Sequence, residues 1–249
     1  MPARLKLIVS YDGASFGGWQ SQASGNTIQD RLEKAFRHIC SADLRVHGAG
    51  RTDAGVHALA QCAHVDLPAR RYSPERWTSA LNGVLPPAIR IMRCAFVSES
   101  FHARFSAKTK TYRYRIWHAP VLPPFESGRA WHVINALDLD VMASTAREFL
   151  GEHDFRSFAA NRGGPETETV RRIHAVRLRR AGPCVTVEFD GDGFLYKMVR
   201  MMVGTIVRVG SGKSSVNDIR VRLKSPRKII TQGREAAPAA GLYLVRVRY

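Results

Sequence analysis

Acid is scarce in this chain of 249 residues: 21 Asp and Glu stand against 38 Lys and Arg, a formal charge of +17. Such a surface is ill suited to a cationic partner and favours a polyanion, and because arginine supplies most of the charge, phosphates that accept bidentate contacts fit it best. The charge by itself also suits a merely solvated basic surface. An anionic membrane is the weaker rival, since no basic amphipathic anchor stands out. Cysteine is sparse as well. Cys40, Cys62, Cys94 and Cys184 lie far apart with no CxxC pair, so neither a zinc knuckle nor a disulfide framework is suggested, and a reducing compartment fits. The first residues, MPARLKLIVSYDG, lack the apolar core of a signal peptide, and no apolar run reaches the roughly 18 residues that span a bilayer. A soluble, cytoplasmic protein is expected.

Hydrophobic residues make up 45% of the chain, enough for one large core or two of about 100 to 150 residues. Alternation predicts a strand over 5–11, and Thr27 with Asp30 forms a capping-box pattern ahead of a helix whose apolar face is Ile28, Leu32, Ala35, Phe36 and Ile39. A short strand over 44–47, a strand over 58–67, a helix over 74–82 and a strand over 89–97 complete a first half. The second half has a strand over 109–117, a helix over 139–150, a hairpin of 169–180 with 183–190 turning over Ala181-Gly182, an apolar helix over 196–209, a helix from about 215 and a closing strand over 241–249. This order predicts an α+β fold of two α/β-type halves with mainly antiparallel sheets flanked by helices. The boundary falls within 102–108, giving domains 1–104 and 105–249. YDG at Tyr11 and FDG at Phe189 hint at duplication, and NRGGPETET at 161–169 reads as a loop.

The chemistry centres on GAGRTDAGVHA, residues 48–58. Gly48, Gly50 and Gly55 permit a tight turn and close backbone approach, and Asp53 is its one carboxylate, with Asp43 and Asp66 the closest acids in sequence. Lacking a second carboxyl at catalytic spacing, the loop is unlike an ordinary glycosidase. His47, His57 and His64 surround it without HxxxH spacing, so they read as structural or substrate-contacting and no metal is expected. Spacing alone leaves Asp53 open as a turn-forming residue. Tyr112 shares a strand face with Tyr114 and Ile116, either for RNA stacking or for core packing. Arg200 lies on a helical row with Lys197, Gly204 and Arg208, which is either a solvated face or a cation aimed at a carboxylate.

Four segments, YDGASFGGWQ, GAGRTDAGVHALAQ, KTYRYRI and GFLYKMVRMMVGTIVRVG, with the ending APAAGLYL, resemble the tRNA pseudouridine synthase A family in family order. The resemblance implies Asp53 as the essential aspartate, Tyr112 as an active-site tyrosine, Arg200 as the basic partner of the aspartate, and Arg51 as the residue that helps hold the target base out of the stem. Gly50, Gly55 and His57 fall in the same substrate-binding motif. It also implies isomerisation of uridine to pseudouridine at positions 38, 39 and 40 of the tRNA anticodon stem-loop, an active-site cleft between the two halves, a homodimer and no cofactor. The basic runs RRIHAVRLRR at 171–180 and RVRLKSPRK at 220–228 are expected to track phosphates. A non-catalytic RNA-binding protein on the same scaffold, or another RNA-acting enzyme, is the alternative.

Overall fold

A computed structural model describes residues 3–160, 168–226 and 235–249. The chain forms two compact units, Met1–Lys108 with Tyr243–Tyr249, and Thr109–Leu242. In the first unit, β1 (Ala3–Tyr11) buries every second residue, including Leu5, Leu7 and Val9. It lies between two antiparallel neighbours, β3 (His57–Leu67) and β4 (Ile89–Val97), while β2 (Val46–Gly48) pairs with the other side of β3. Along β3 the buried positions run nearly unbroken, the pattern of a strand covered on both faces, whereas β1 alternates.

Helix α1 (Ile28–Cys40) starts where the capping box predicts. Thr27 accepts from the Asp30 amide and the Asp30 carboxylate accepts from the Thr27 amide. Its amides at Ile28 and Gln29 donate to the carbonyls of Gly18 and Trp19, so the exposed donors of its first turn are satisfied by the preceding loop. Ile28, Leu32, Ala35 and Phe36 are buried as expected, and Phe36 meets Trp77 of α2 (Pro74–Val84) with ring centroids 5.6 Å apart.

In the second unit, β5 (Thr109–Trp117) carries the short parallel β6 (Trp131–His132), and α3 (Leu139–Arg147) follows. Then β7 (Gly151–Asp154), β8 (Val170–Ala181) and β9 (Cys184–Gly191) complete an antiparallel sheet in the order β5, β9, β8, β7. The hairpin turns over Gly182-Pro183, one residue later than expected, because Ala181 pairs with Cys184. The positive φ of 58° falls on Gly182, which has no Cβ to clash, and Pro183 fixes the next φ negative. Helices α4 (Met198–Gly210) and α5 (Val216–Lys224) close this unit, α5 with a second capping box from Ser215 and Asp218. The apolar helix expected over 196–209 starts at Met198 because Lys197 stands in the left-handed region at φ 58°.

The last strand, β10 (Leu242–Arg248), lies parallel to β3, with Tyr243 beside His57 and Leu244 beside Ala58. A division of the chain at 104 and 105 assigns this strand to the second half, whereas its contacts group it with the first unit. Both units are α+β bodies with mainly antiparallel sheets. The loop expected at 161–169 lies outside the described residues except for its last two.

Candidate active site

The turn that carries Asp53 is clamped from three sides within the first unit. From the end of β1, the Tyr11 hydroxyl hydrogen-bonds the Thr52 hydroxyl at 2.8 Å. Burial pushes the Tyr11 phenol well above its ordinary range, so it stays protonated at that contact. From the loop after β1, the Trp19 amide donates to the Thr52 carbonyl at 3.0 Å. From β3, buried Gln61 donates its amide to the Gly50 carbonyl at 2.9 Å. The turn itself closes with the Val56 amide donating to the Asp53 carbonyl at 3.1 Å. Thr52 and Val56 are buried on either side of a half-buried Asp53, so the backbone bearing the carboxylate is fixed while the side chain keeps access to solvent.

Two glycines outside the turn make this packing possible. A Cβ on Gly18 would stand 2.5 Å from the Thr52 carbonyl oxygen and 2.9 Å from the Asp53 carbonyl carbon, and a Cβ on Gly13 only 2.0 Å from the Val56 carbonyl oxygen. Within the turn, positive φ is found at Gly55, at 77°. Gly48 is needed for a different reason from the expected turn, since any side chain there would collide with the Trp19 ring. Gly50 contributes its carbonyl to Gln61, and Arg51 is exposed at the rim.

His57 sits beneath the loop. It is 2% exposed, stacks on Tyr243 at 4.6 Å, and has both the Gly13 amide and an Asp12 carboxylate oxygen 3.1 Å from Nδ1. Nδ1 serves one of these at a time, accepting from the amide when unprotonated and donating to the carboxylate when protonated. Either way the ring ties the YDG turn to β3 and β10. His47 and His64 stack at 5.0 Å and His102 meets His64 at 4.7 Å. Among the described residues no group of three His, Cys, Asp or Glu is arranged to hold a metal ion.

In the second unit, Tyr112 is 7% exposed, with the Phe194 ring edge-on at 5.0 Å and Phe189 opposite it on β9. The preceding Thr111 donates to the Asp190 carboxylate at 2.8 Å, which pins the FDG segment to β5. Arg200 leaves the first turn of α4 and donates from Nε to the Ala237 carbonyl at 2.7 Å, while the Ala237 amide donates back to the Arg200 carbonyl at 3.0 Å. Gly204, one turn on, lets that segment approach, because a Cβ there would lie 1.8 Å from the Glu235 carbonyl oxygen. The row Lys197, Arg200, Gly204, Arg208 is therefore not a uniform solvated face. Lys197 caps the helix, Arg200 and Gly204 are covered by 235–237, and Arg208 alone of the four is fully exposed.

The charged runs also separate. In β8, Arg177, Arg179 and Arg180 are exposed, while Arg172 pairs with Glu152 at 3.0 Å. In the other run, Arg220 pairs bidentately with Glu148 at 2.9 and 2.7 Å, and Arg222 bonds the Ser157 carbonyl and Glu235 at 2.7 and 3.1 Å. These two arginines hold α5 against its neighbours, and 227–228 lie outside the described residues. Sequence reasoning missed Tyr11, Gly18, Gln61, Thr111 and Ala237 as supports. The signal for most of them was present in YDGASFGGWQ and APAAGLYL, which carried resemblance but no assigned role.

A family model described as tRNA pseudouridine synthase matches residues 7–106 and 145–249. Asp53 and Arg200 fall inside the matched segments and Tyr112 between them. The tRNA pseudouridine synthase A of Akkermansia muciniphila is 43% identical, over 99% of this chain and 95% of that protein. Those of Solidesulfovibrio magneticus and Acetivibrio thermocellus are 44% and 42% identical, over 99% and 98% of this chain and 91% and 99% of theirs. With likeness running nearly end to end and the Asp53 turn, its clamps and the Arg200 helix all inside it, this chain belongs to the tRNA pseudouridine synthase A family.

Proposed function

We propose that this protein isomerises uridine to pseudouridine in tRNA, at positions 38, 39 and 40 of the anticodon stem-loop. The observation that carries the reading is a single carboxylate, Asp53, on a turn whose backbone is held by Tyr11, Trp19 and Gln61, in a chain of this family. The reaction breaks the N1–C1′ bond, turns the base and forms a C5–C1′ bond, with the C5 proton released and N1 taking up a proton. Atoms and electrons balance without an oxidant or a second substrate, so one ionised carboxylate is sufficient as the reactive group. Asp53 acts by addition at C6, by attack at C1′ or by removal of the C2′ proton.

Stacked in a stem, the uridine hides its glycosidic bond, so base flipping precedes chemistry. Arg51 then holds the flipped nucleotide with the Gly50 and Gly55 backbone, Tyr112 stacks on the base, and Arg200 serves as the basic partner of the aspartate. His57 contributes from below by holding the loop. The enzyme works as a homodimer in the cytoplasm, with the exposed arginines of β8 on the RNA backbone.

Transfer RNA tritiated at uridine C5 tests the proposal directly. Wild type is expected to release tritium, and Asp53→Asn to bind tRNA normally while releasing none. Absence of release from wild type sinks the synthase reading and favours a non-catalytic RNA-binding protein; undiminished release from the variant removes Asp53 from the chemistry.

A further inference from the structure

Apart from the Asp53 turn, the first unit carries a groove of about 500 Å³ between α1 and the connection from α2 to β4. Arg31, Lys34 and His38 line one wall, and Val84, Leu85 and Pro86 the other. None of the lining residues is acidic, and none belongs to 48–58. The three basic side chains fall at i, i+3 and i+7 on α1, a row on the order of 10 Å long. Lys34 and His38 are exposed, and Val84 is 41% exposed although apolar.

Arg31 is held in place within the groove wall. Its Nη2 donates to Asn26 Oδ1 at 2.9 Å, which fixes the guanidinium plane, while its Nε is buried with no hydrogen-bond partner. Asn26 in turn donates to the Ser15 carbonyl at 2.9 Å and accepts from the Gly17 amide at 2.9 Å. That loop is the one whose Gly18 presses on Thr52 and Asp53. Arg31 and Asn26 thus tie the groove wall by hydrogen bonds to the loop that cups the candidate catalytic turn.

We infer that this groove is a second RNA-backbone site, taking phosphodiesters on Arg31, Lys34 and His38 with ribose or base against Val84, Leu85 and Pro86. The choice of RNA as occupant rests on the proposed function. The chemistry is set by the groove itself: an arginine, a lysine and a histidine without acids, the guanidinium held in place by Asn26, and an apolar wall opposite. RNA is favoured over a free nucleotide because the basic row runs about 10 Å along α1, long enough to meet successive phosphates of one strand.

Filter binding of unmodified tRNA over a range of salt tests it. The double variant Lys34→Glu/His38→Glu leaves the Arg31 bond to Asn26 intact, and Lys213→Glu/Asn217→Glu, exposed in the second unit, makes the same change of net charge elsewhere as a control. The double variant is expected to bind about tenfold more weakly, with the slope of log affinity against log salt reduced by about 1 to 2, and the control to change little. A double variant no weaker than the control overturns the inference. Thermal stabilisation of wild type by millimolar AMP, with tRNA affinity unchanged in the double variant, also overturns it by assigning the groove to a free nucleotide. Failure of wild type to bind tRNA at all strikes instead at the proposed function, so the two readings fail separately.

Discussion

Gly13 and Gly83 make opposite demands on a methyl group. At Gly13 a Cβ would lie 2.0 Å from the Val56 carbonyl oxygen, a backbone atom that cannot swing aside, whereas at Gly83 in α2 it meets nothing within 4 Å. Gly13→Ala is therefore expected to lower stability by about 1–3 kcal/mol and to cut tritium release more than tenfold, because the Asp53 turn must shift. Gly83→Ala is expected to leave activity unchanged and to stabilise by about 0.5–1 kcal/mol. Thermal melts beside the release assay check both; equal effects at the two positions would show that the clamp does not govern Asp53. Single residues also show how sequence misleads. Gly48 reads as a turn glycine because glycine commonly is one, yet its partner is the ring of Trp19, 29 positions away in the chain and invisible to local patterns.

At the level of elements, α4 is an arm that carries Arg200, and 235–237 is the bracket that holds it. The bracket depends on Gly204, where the two backbones meet. Gly204→Val is expected to push Glu235 and Ala237 away, freeing the Arg200 side chain from the Ala237 carbonyl. Turnover should fall about tenfold or more with KM for tRNA within a few-fold of wild type, as for Arg200→Ala. Steady-state kinetics decide it: a rise in KM alone would make this helix a binding element. Helix starts were legible because caps are local chemistry. Thr27 with Asp30 and Ser215 with Asp218 form the boxes their spacing implies. The start of α4 was not legible, since the left-handed backbone of Lys197 follows from packing around it and from no propensity of lysine.

For the molecule as a whole, one histidine gives stability a pH dependence of known sign. His64 is 1% exposed, accepts from the Ala103 amide at Nδ1, and is flanked by Arg4, His47 and His102, with Asp66 opposing them. Burial first, then these cations, lower its pKa from 6.5 to about 4. Above pH 6.5 neither the folded nor the unfolded chain binds this proton. As pH falls from 6.5 towards 4 the unfolded chain takes it up and the folded chain refuses it, so stability drops, by at most about 3 kcal/mol. Burial lowers His102 as well, adding in the same direction. Urea midpoints at pH 7 and pH 4.5 should separate by less in His64→Gln, which keeps an acceptor for Ala103, than in wild type. An equal decline in both would assign the effect to other groups.

Sequence by itself determined what depends on neighbours in the chain: alternation gave β1 and β5, and caps gave α1 and α5. It also singled out Asp53 as a candidate, because a lone carboxylate among glycines stands out in a basic chain, while spacing alone left a turn-forming role open. Tertiary structure decided what depends on distant segments. It returned β10 to the strand that begins at His57, since strand pairing is set by register across space and leaves no local trace. It turned Arg220 and Arg222 from an expected phosphate track into braces for α5, because a charge seeks whichever opposite charge folding brings near. It also gave the FGGW and AAP segments their purpose, as backbones that approach Thr52 and Arg200 so closely that no side chain could intervene.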